Sequence, residues 1–337
     1  MFQIQLDMVR DTVLDHAGAL AEAGSPYGRF RPRADQPAGF WGSVEVALTL
    51  YTVNVSSLIP EEFRREMVEV IGSYQRPDGS FEQSYRHGLF AAAMAQLACR
   101  ALGGELGRMP ALLAERQAQR PMEWLVELPW HEPAKAAEQL YGTGALLLTQ
   151  PGTPPEVRDE LLNWLSASQN LQNGWWMGPD RPETRQDLLL PAFAADLLFG
   201  LAGRAVPSAD VQTRSLIALQ ARMGPAKGLF GSLDRPHWSE MCAAQLFYVL
   251  KEHVRVEMLQ EMSRSAMRLL QVCQSMLSPT GEGGLSLDTT TGLLSRVQLL
   301  AILSKLLPRQ FVVRRPWRLI WTSASLLRSD EAATVEG

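Results

Sequence analysis

A chain of 337 residues, 46% of them apolar, has enough hydrophobic material for a large core. Its 32 Lys and Arg stand against 36 Asp and Glu, and the net charge of −4 removes any general electrostatic reason to expect nucleic acid as a partner. The three cysteines, Cys99, Cys242 and Cys273, are odd in number and widely spaced in apolar segments, which excludes a disulfide framework and predicts reduced, buried thiols in a cytoplasmic setting.

Taken in chain order, the apolar periodicity predicts helices over about 2–23, 41–53, 61–75, 87–102, 106–126, 134–149, 155–169, 186–202, 207–222, 238–252, 257–276 and 291–306. Met1 to Leu20 lacks the basic start and unbroken apolar run of a signal peptide. No later segment reaches the roughly 18 charge-free apolar residues of a membrane span. The helices alternate in character. One of each pair carries charges at surface spacing, as in Pro60-Glu-Glu-Phe-Arg-Arg-Glu-Met, and its successor is apolar nearly all round, as in Leu89-Phe-Ala-Ala-Ala-Met-Ala-Gln-Leu-Ala. The first kind belongs outside and the second is buried on most sides. Pro60, Pro154-Pro155 and Pro207 mark outer-helix starts, where a missing N–H costs little. From Phe311 to Arg328, Trp317, Leu319, Ile320, Trp321 and Leu326 mix with Arg314, Arg315, Arg318 and Arg328. This reads as a basic amphipathic helix that packs on the domain or lies on an anionic membrane surface.

The turns between paired helices repeat. Gln75-Arg-Pro-Asp-Gly79-Ser-Phe81, Gln169-Asn-Leu-Gln-Asn-Gly174-Trp-Trp176, Gln220 to Gly228-Leu-Phe230 and Gln274 to Gly283-Gly-Leu285 each offer Gln, a polar gap, Gly and a large apolar residue. Gly28-Arg-Phe30 is a degenerate first copy, and Trp124 to Trp130 stands where a third should be. The glycines at 28, 79, 174, 228 and 283 lie 51, 95, 54 and 55 residues apart, and the longest gap is two periods. Six helix-pair units of about 50 residues follow. The expected fold is all-α: an (α/α)6 toroid of six inner and six outer helices over 1–310, then a C-terminal helix and tail over 311–337.

These units resemble the QW repeat of the superfamily that contains squalene-hopene cyclases, class II terpene cyclases and the β subunits of protein prenyltransferases; Trp164-Leu-Ser-Ala-Ser-Gln169-Asn-Leu-Gln-Asn-Gly174-Trp175-Trp176 is the best copy. The resemblance covers about residues 25–305. It implies the toroid, a structural role for Gln75, Gln169 and Trp175, and one of two chemistries in a central cavity. The prenyltransferase zinc requires an Asp-x-Cys pair, which the chain lacks, and His237 with Cys242 supplies at most two local ligands. No metal and no cofactor are therefore expected.

The resemblance to class II cyclases implies an acid that protonates an alkene or epoxide from an Asp-x-Asp-Asp motif. The chain carries two reduced versions of it, both at inner-helix starts. Ser43-Val44-Glu45-Val46 puts Glu45 on the middle position in the first, and Ser286-Leu287-Asp288-Thr289-Thr290 offers Asp288 in the sixth. Desolvation would hold such a carboxyl in its acidic form, and aromatic faces would stabilise the resulting cation. Glu45 also fits a helix-dipole partner, and Asp288 an N-cap. Phe40, Trp41, Tyr85, Trp130, Trp176 and Trp238 supply aromatic groups for substrate binding, or fill the barrel end. His87, His131 and His237, with Arg86, Arg185, Arg235 and Lys135, suggest a rim for an anionic head group such as a diphosphate, or acid–base chemistry by His87 or His237.

The expected function is acid-initiated carbocation cyclisation of a prenyl or polyene substrate, by a cytoplasmic protein with peripheral membrane contact through its last helix. The alternatives are another isomerase, dehydratase or lyase on the same scaffold, and a noncatalytic toroid that binds a hydrophobic ligand or a protein.

Overall fold

The structure is a computed structural model that describes residues 3–23, 27–81, 88–176, 185–222, 238–276, 289–321 and 326. It is predominantly helical, and strand is confined to a two-residue parallel pair, β1 (Ile4–Gln5) with β2 (Phe311–Val312), among the described residues. The helices are α1 (Leu6–Ala19), α2 (Phe40–Thr52), α3 (Glu61–Ser73), α4 (Gly88–Ala101), α5 (Ala111–Ala118), α6 (Pro121–Leu125), α7 (Pro133–Thr149), α8 (Pro155–Ser168), α9 (Arg185–Leu201), α10 (Ala209–Arg222), α11 (Trp238–Leu250), α12 (Val256–Met276) and α13 (Thr290–Leu306).

The predicted division into two kinds of helix appears as two degrees of burial. In α2, α4, α7, α11 and α13 nearly every described side chain is buried, whereas α3 buries only Met67, Val70 and Ile71, and α8 only Leu161, Leu162 and Leu165. A helix with apolar residues on all sides is stable only when other helices surround it. Accordingly α2 packs on α4, α4 on α7, α7 on α9, α9 on α11, α11 on α13, and α13 back on α2. Between them the charged helices bridge successive members, with α3 against both α2 and α4, and α12 against both α11 and α13. The one outer helix that departs from expectation is the third. The run predicted over 106–126 is split into α5 and α6, because Pro121 cannot donate a backbone hydrogen bond and holds Arg120 in extended geometry.

The repeated turns work as ties. Gln75 Nε2 donates to the Gly79 carbonyl at 2.9 Å and Gln169 Nε2 to the Gly174 carbonyl at 2.9 Å, so the amide closes its own turn. The third glutamine, Gln220, reaches forward to the Ser265 carbonyl of α12 at 3.0 Å. Gln169→Ala should therefore cost about 1–3 kcal/mol, the range for a buried acceptor left without its donor, read as a shift of the urea midpoint. The glycine has two reasons to be glycine. Gly174 sits at φ +75°, and a Cβ there would lie 2.6 Å from the Gln212 Cα of α10. Each such turn thus seats the outer helix of the following unit.

The cycle closes between α2 and α13. Thr290 N–H donates to the Pro32 carbonyl at 2.9 Å, and the Glu45 carboxylate of α2 accepts from the hydroxyls of Thr290 and Thr291. The C-terminal segment is where expectation and structure differ. Residues 311–321 are β2 followed by an irregular extended run, not an amphipathic helix, and Trp317, Leu319, Ile320 and Trp321 are buried. Of the two outcomes expected for these apolar side chains, the structure shows packing on the protein. No helix among the described residues is long and apolar enough to cross a membrane.

Candidate functional site

Four consecutive residues fix where the C-terminal segment runs. Arg318 N–H donates to the Thr52 carbonyl at the end of α2 at 2.8 Å, and Ile320 N–H points at Gln298 Oε1 of α13 at 3.5 Å. Trp321 lies edge-on to Tyr141 of α7, Phe193 of α9 and Trp238 of α11, with centroids 5.5, 5.4 and 6.3 Å away. Within four residues the segment thus contacts five of the six mutually packed helices. Trp321 is 1% exposed there.

Around it the wall is aromatic. Trp41 of α2 faces Phe90 of α4 at 6.0 Å, Phe90 faces Tyr141 at 6.3 Å, and Phe193 faces Trp238 at 6.3 Å. The last two pairs are edge-to-face and the first is tilted, a surface suited to an apolar and polarisable body. The same helices also bury polar side chains, among them Glu240, Gln245, Arg296 and Gln298. Among the described residues Tyr141 Oη has no hydrogen-bond partner, and burial pushes its phenol well above the ordinary range. Gln245, two turns beyond Trp238 on the same face of α11 and 1% exposed, has a partner for neither its amide nitrogen nor its amide oxygen.

The expected site residues divide accordingly. Trp41 and Trp238 belong to the wall. Phe40 is buried but turns to Phe81 and Tyr74, against the second unit's turn, at 4.6 and 6.2 Å. Trp130 and Trp176, also expected at the substrate, make their contacts with other elements. Trp130 stacks on Trp164 of α8 and donates to the Leu125 carbonyl, and Trp176 donates to the Leu165 carbonyl at 2.8 Å and packs on Phe199. Both are held by the outer layer because an indole N–H in a dry interface goes where an unpaired carbonyl is available. The His131 side chain is 63% exposed beside Glu132 at 3.6 Å, and Lys135 pairs with the same carboxylate. Tyr85, Arg86, His87, Arg235, His237 and Asp288 lie outside the described residues, as does the side chain of Arg185.

Glu45 is 2% exposed, one turn beyond Trp41. Its carboxylate accepts from Thr291 Oγ1 at 2.8 and 2.9 Å and also from Thr290 Oγ1. The dipole-partner reading does not describe this arrangement, in which the carboxylate joins the first helix of the cycle to the last. The capping role considered for Asp288 is filled one residue on, where Thr289 Oγ1 accepts from Gly292 N–H at 3.0 Å.

One acid escaped the sequence reading. Asp196 of α9 is fully buried; its Oδ2 accepts from Gln212 Nε2 of α10 at 3.0 Å, its Oδ1 has no partner, and burial raises its pKa well above the usual carboxylate value. It stands in the run Leu188 to Leu201 as the sole charge, which was the available signal. Its contact with α10 puts it beneath the Gly174 turn. The three cysteines are free and buried, with Cys99 pushed up to about 12 by burial, so none is poised as a nucleophile. Among the described residues no three His, Cys, Asp or Glu side chains are grouped so as to hold a metal.

Compared with known proteins, the chain matches no family model, no curated protein and no solved structure.

Proposed function

We propose that the chain is an (α/α)6 toroid of the terpenoid cyclase type, whose enclosed aromatic chamber receives a prenyl or polyene ligand. The observation that carries this reading is the wall itself. Five of the six mutually packed inner helices contribute an aromatic side chain, and all five are linked by ring contacts that run through Trp321. The cyclic order of helix packing supports the toroid, since a chamber enclosed by six helices follows when the last packs on the first.

The chemistry such a chamber favours is carbocation cyclisation. Aromatic faces attract a cation, more strongly when water is excluded, and a closed apolar wall keeps water from quenching it. Glu45 is the acid of this reading, because it is the buried carboxyl one turn from the wall residue Trp41. Noncatalytic binding is the second reading. It is favoured by one observation: Glu45 accepts the hydroxyls of two threonines on the neighbouring helix, the geometry of a tie.

Incubation with farnesol and with squalene, followed by mass-spectrometric analysis of extracted products, separates the two. Cyclisation predicts a product of unchanged mass and altered retention, lost in Glu45→Gln, which keeps size and hydrogen bonding but delivers no proton. A general-acid step contributes roughly 10²–10⁴-fold, so the loss should be of that order. Binding without product in either protein establishes the noncatalytic reading. No binding by either ligand sinks both.

A further inference from the structure

From Lys305 to Arg318 the chain carries Lys305, Arg309, Arg314, Arg315 and Arg318 and no acidic residue, although the whole sequence has a net charge of −4. The structure sorts this run by polarity. Phe311, Trp317 and Leu319 go inside, while Lys305, Arg309, Arg314 and Arg315 stay exposed and Arg318 lies half-buried over the Tyr51 ring at 5.0 Å. The backbone between the cations is pinned. Gln3 Nε2 donates to the Arg309 carbonyl at 3.1 Å, Arg314 N–H to Asp7 Oδ2 at 3.1 Å, Arg10 Nη2 to the Arg315 carbonyl at 3.0 Å and Asn54 Nδ2 to the Pro316 carbonyl at 3.0 Å. Their charged heads are left without acids. None of the five has an ion-pair partner among the described residues, whereas several exposed arginines elsewhere do, as in Arg33 with Asp35, Arg120 with Glu160 and Arg255 with Asp210. The elements that hold the run supply two acids, Asp7 and Asp11 of α1, against these five cations and Arg10, and Asp7 is already paired with Arg10 at 2.7 Å. Glu257 and Glu261 of α12, the outer helix packed on α13, pair with none of the five among the described residues.

We propose that this face, centred on Arg309, Arg314 and Arg315, docks the protein on an anionic membrane surface. Guanidinium groups without acids, carried on a pinned backbone, meet acidic lipid headgroups through paired hydrogen bonds and lose little freedom in doing so. Two exposed apolar side chains complete the face. Val312, paired in register with the exposed Gln5, stands on the outward side of the two-stranded sheet, and Met8, next to Asp7, is 70% exposed. Apolar groups among cations gain from the headgroup boundary, which offers charge and hydrocarbon together. Nucleic acid would meet the arginines but not these. Its single strands also want exposed aromatic platforms, whereas Trp317 and Trp321, the indoles of this segment, are buried. The mode is the reverse of the amphipathic helix read from the sequence: the tryptophans hold the segment to the protein, and the arginines hold the protein to the bilayer. The face stands apart from the chamber reading, since it uses exposed side chains alone.

The test is sedimentation of the full-length protein with phosphatidylcholine vesicles, plain or containing about 30% phosphatidylserine. Binding is expected to the acidic vesicles alone, and it should weaken at least tenfold between about 0.1 and 0.5 M salt, as screening shortens the reach of each charge. One basic residue at an acidic leaflet strengthens binding about fivefold, so Arg314→Gln with Arg315→Gln should bind roughly 25-fold more weakly. Lysine at both positions should retain most of the affinity. Arg120→Gln with Arg255→Gln makes the same change in net charge at ion-paired arginines elsewhere, and should bind as the wild type does. Equal weakening by the two glutamine pairs would mean attraction by net charge without a docking face, and overturns the proposal. Absence of binding to acidic vesicles overturns it too, as does equal binding to both compositions. Retention of a short DNA duplex or single strand through Arg314 and Arg315, without vesicle binding, reassigns the face to nucleic acid. The Arg314 and Arg315 side chains make no hydrogen bond among the described residues, so their replacement should leave the urea midpoint unchanged. If that variant fails to fold, Met8→Ser, expected to bind two- to fivefold more weakly, decides together with the salt and lipid dependence of the unaltered protein.

Discussion

Gly174→Ala is expected to destabilise the protein by about 2–5 kcal/mol, of which roughly half comes from the backbone and half from a collision. The backbone part arises because φ is +75°, a region in which an L side chain crowds its own carbonyl at a cost of about 1–2 kcal/mol. The collision part arises because the added Cβ would lie 2.6 Å from the Gln212 Cα and 2.7 Å from the Gln212 nitrogen, and backbone cannot rotate out of the way. An internal control separates the two. Gly203 also has positive φ, at +67°, but a Cβ there meets nothing within 4 Å. Gly203→Ala should therefore show the conformational loss alone, about 1–2 kcal/mol. Denaturant midpoints for the pair provide the measurement. Equal losses would mean that the turn does not seat α10, and the role assigned to the repeated glycine would fail.

Asp196→Asn should remove a pH dependence and raise stability at neutral pH. In the folded protein burial holds the carboxyl protonated well above its ordinary value, whereas in the unfolded chain it ionises near pH 3.9. Its contribution is therefore fully present below about pH 4 and lost as pH rises towards the raised folded value, because only the unfolded state releases the proton. Within that window wild type should lose about 1.4 kcal/mol per pH unit relative to the variant. Asparagine has the same shape and no proton to lose. Its amide can donate to Gln212 Oε1, a buried acceptor without a partner among the described residues. Urea midpoints measured upward from pH 4 should diverge between the two proteins until the raised folded value is reached. Parallel curves would show that Asp196 ionises in place or is solvated.

The elements were legible in the sequence because two independent signals agreed at each boundary. Around Pro155, Gly174 and Trp238 a change in helix character coincides with a breaker or a turn residue, so tertiary packing had no local preference to override. The split at Pro121 was legible too, from the proline alone, but the outward charge spacing continued across it. Site residues were harder to read. Trp130, Trp176 and Trp238 are the same residue type near the same kind of helix start, and only one of them faces inward. Position along a helix places a side chain at a height, whereas the direction depends on rotation and on where an indole N–H finds a carbonyl. The C-terminal segment misled for a related reason. Alternating Trp and Arg over 314–321 satisfies a helical and an extended pattern equally well, and Pro316 was the signal against a helix.

The contact between Glu45 and the threonines of α13 spans 245 residues of sequence, and it sets when the protein can finish folding. On a ribosome that releases the chain from its amino end at roughly 5–20 residues per second, α2 emerges long before its partner in the closing contact exists. Until α13 is made, the first and fifth inner helices each have a naked apolar flank, and the growing arc is an open strip of hydrophobic surface. Contacts this distant in sequence also carry a large loop-closure entropy and form late. Synthesis without chaperones should therefore yield more aggregate than synthesis with them.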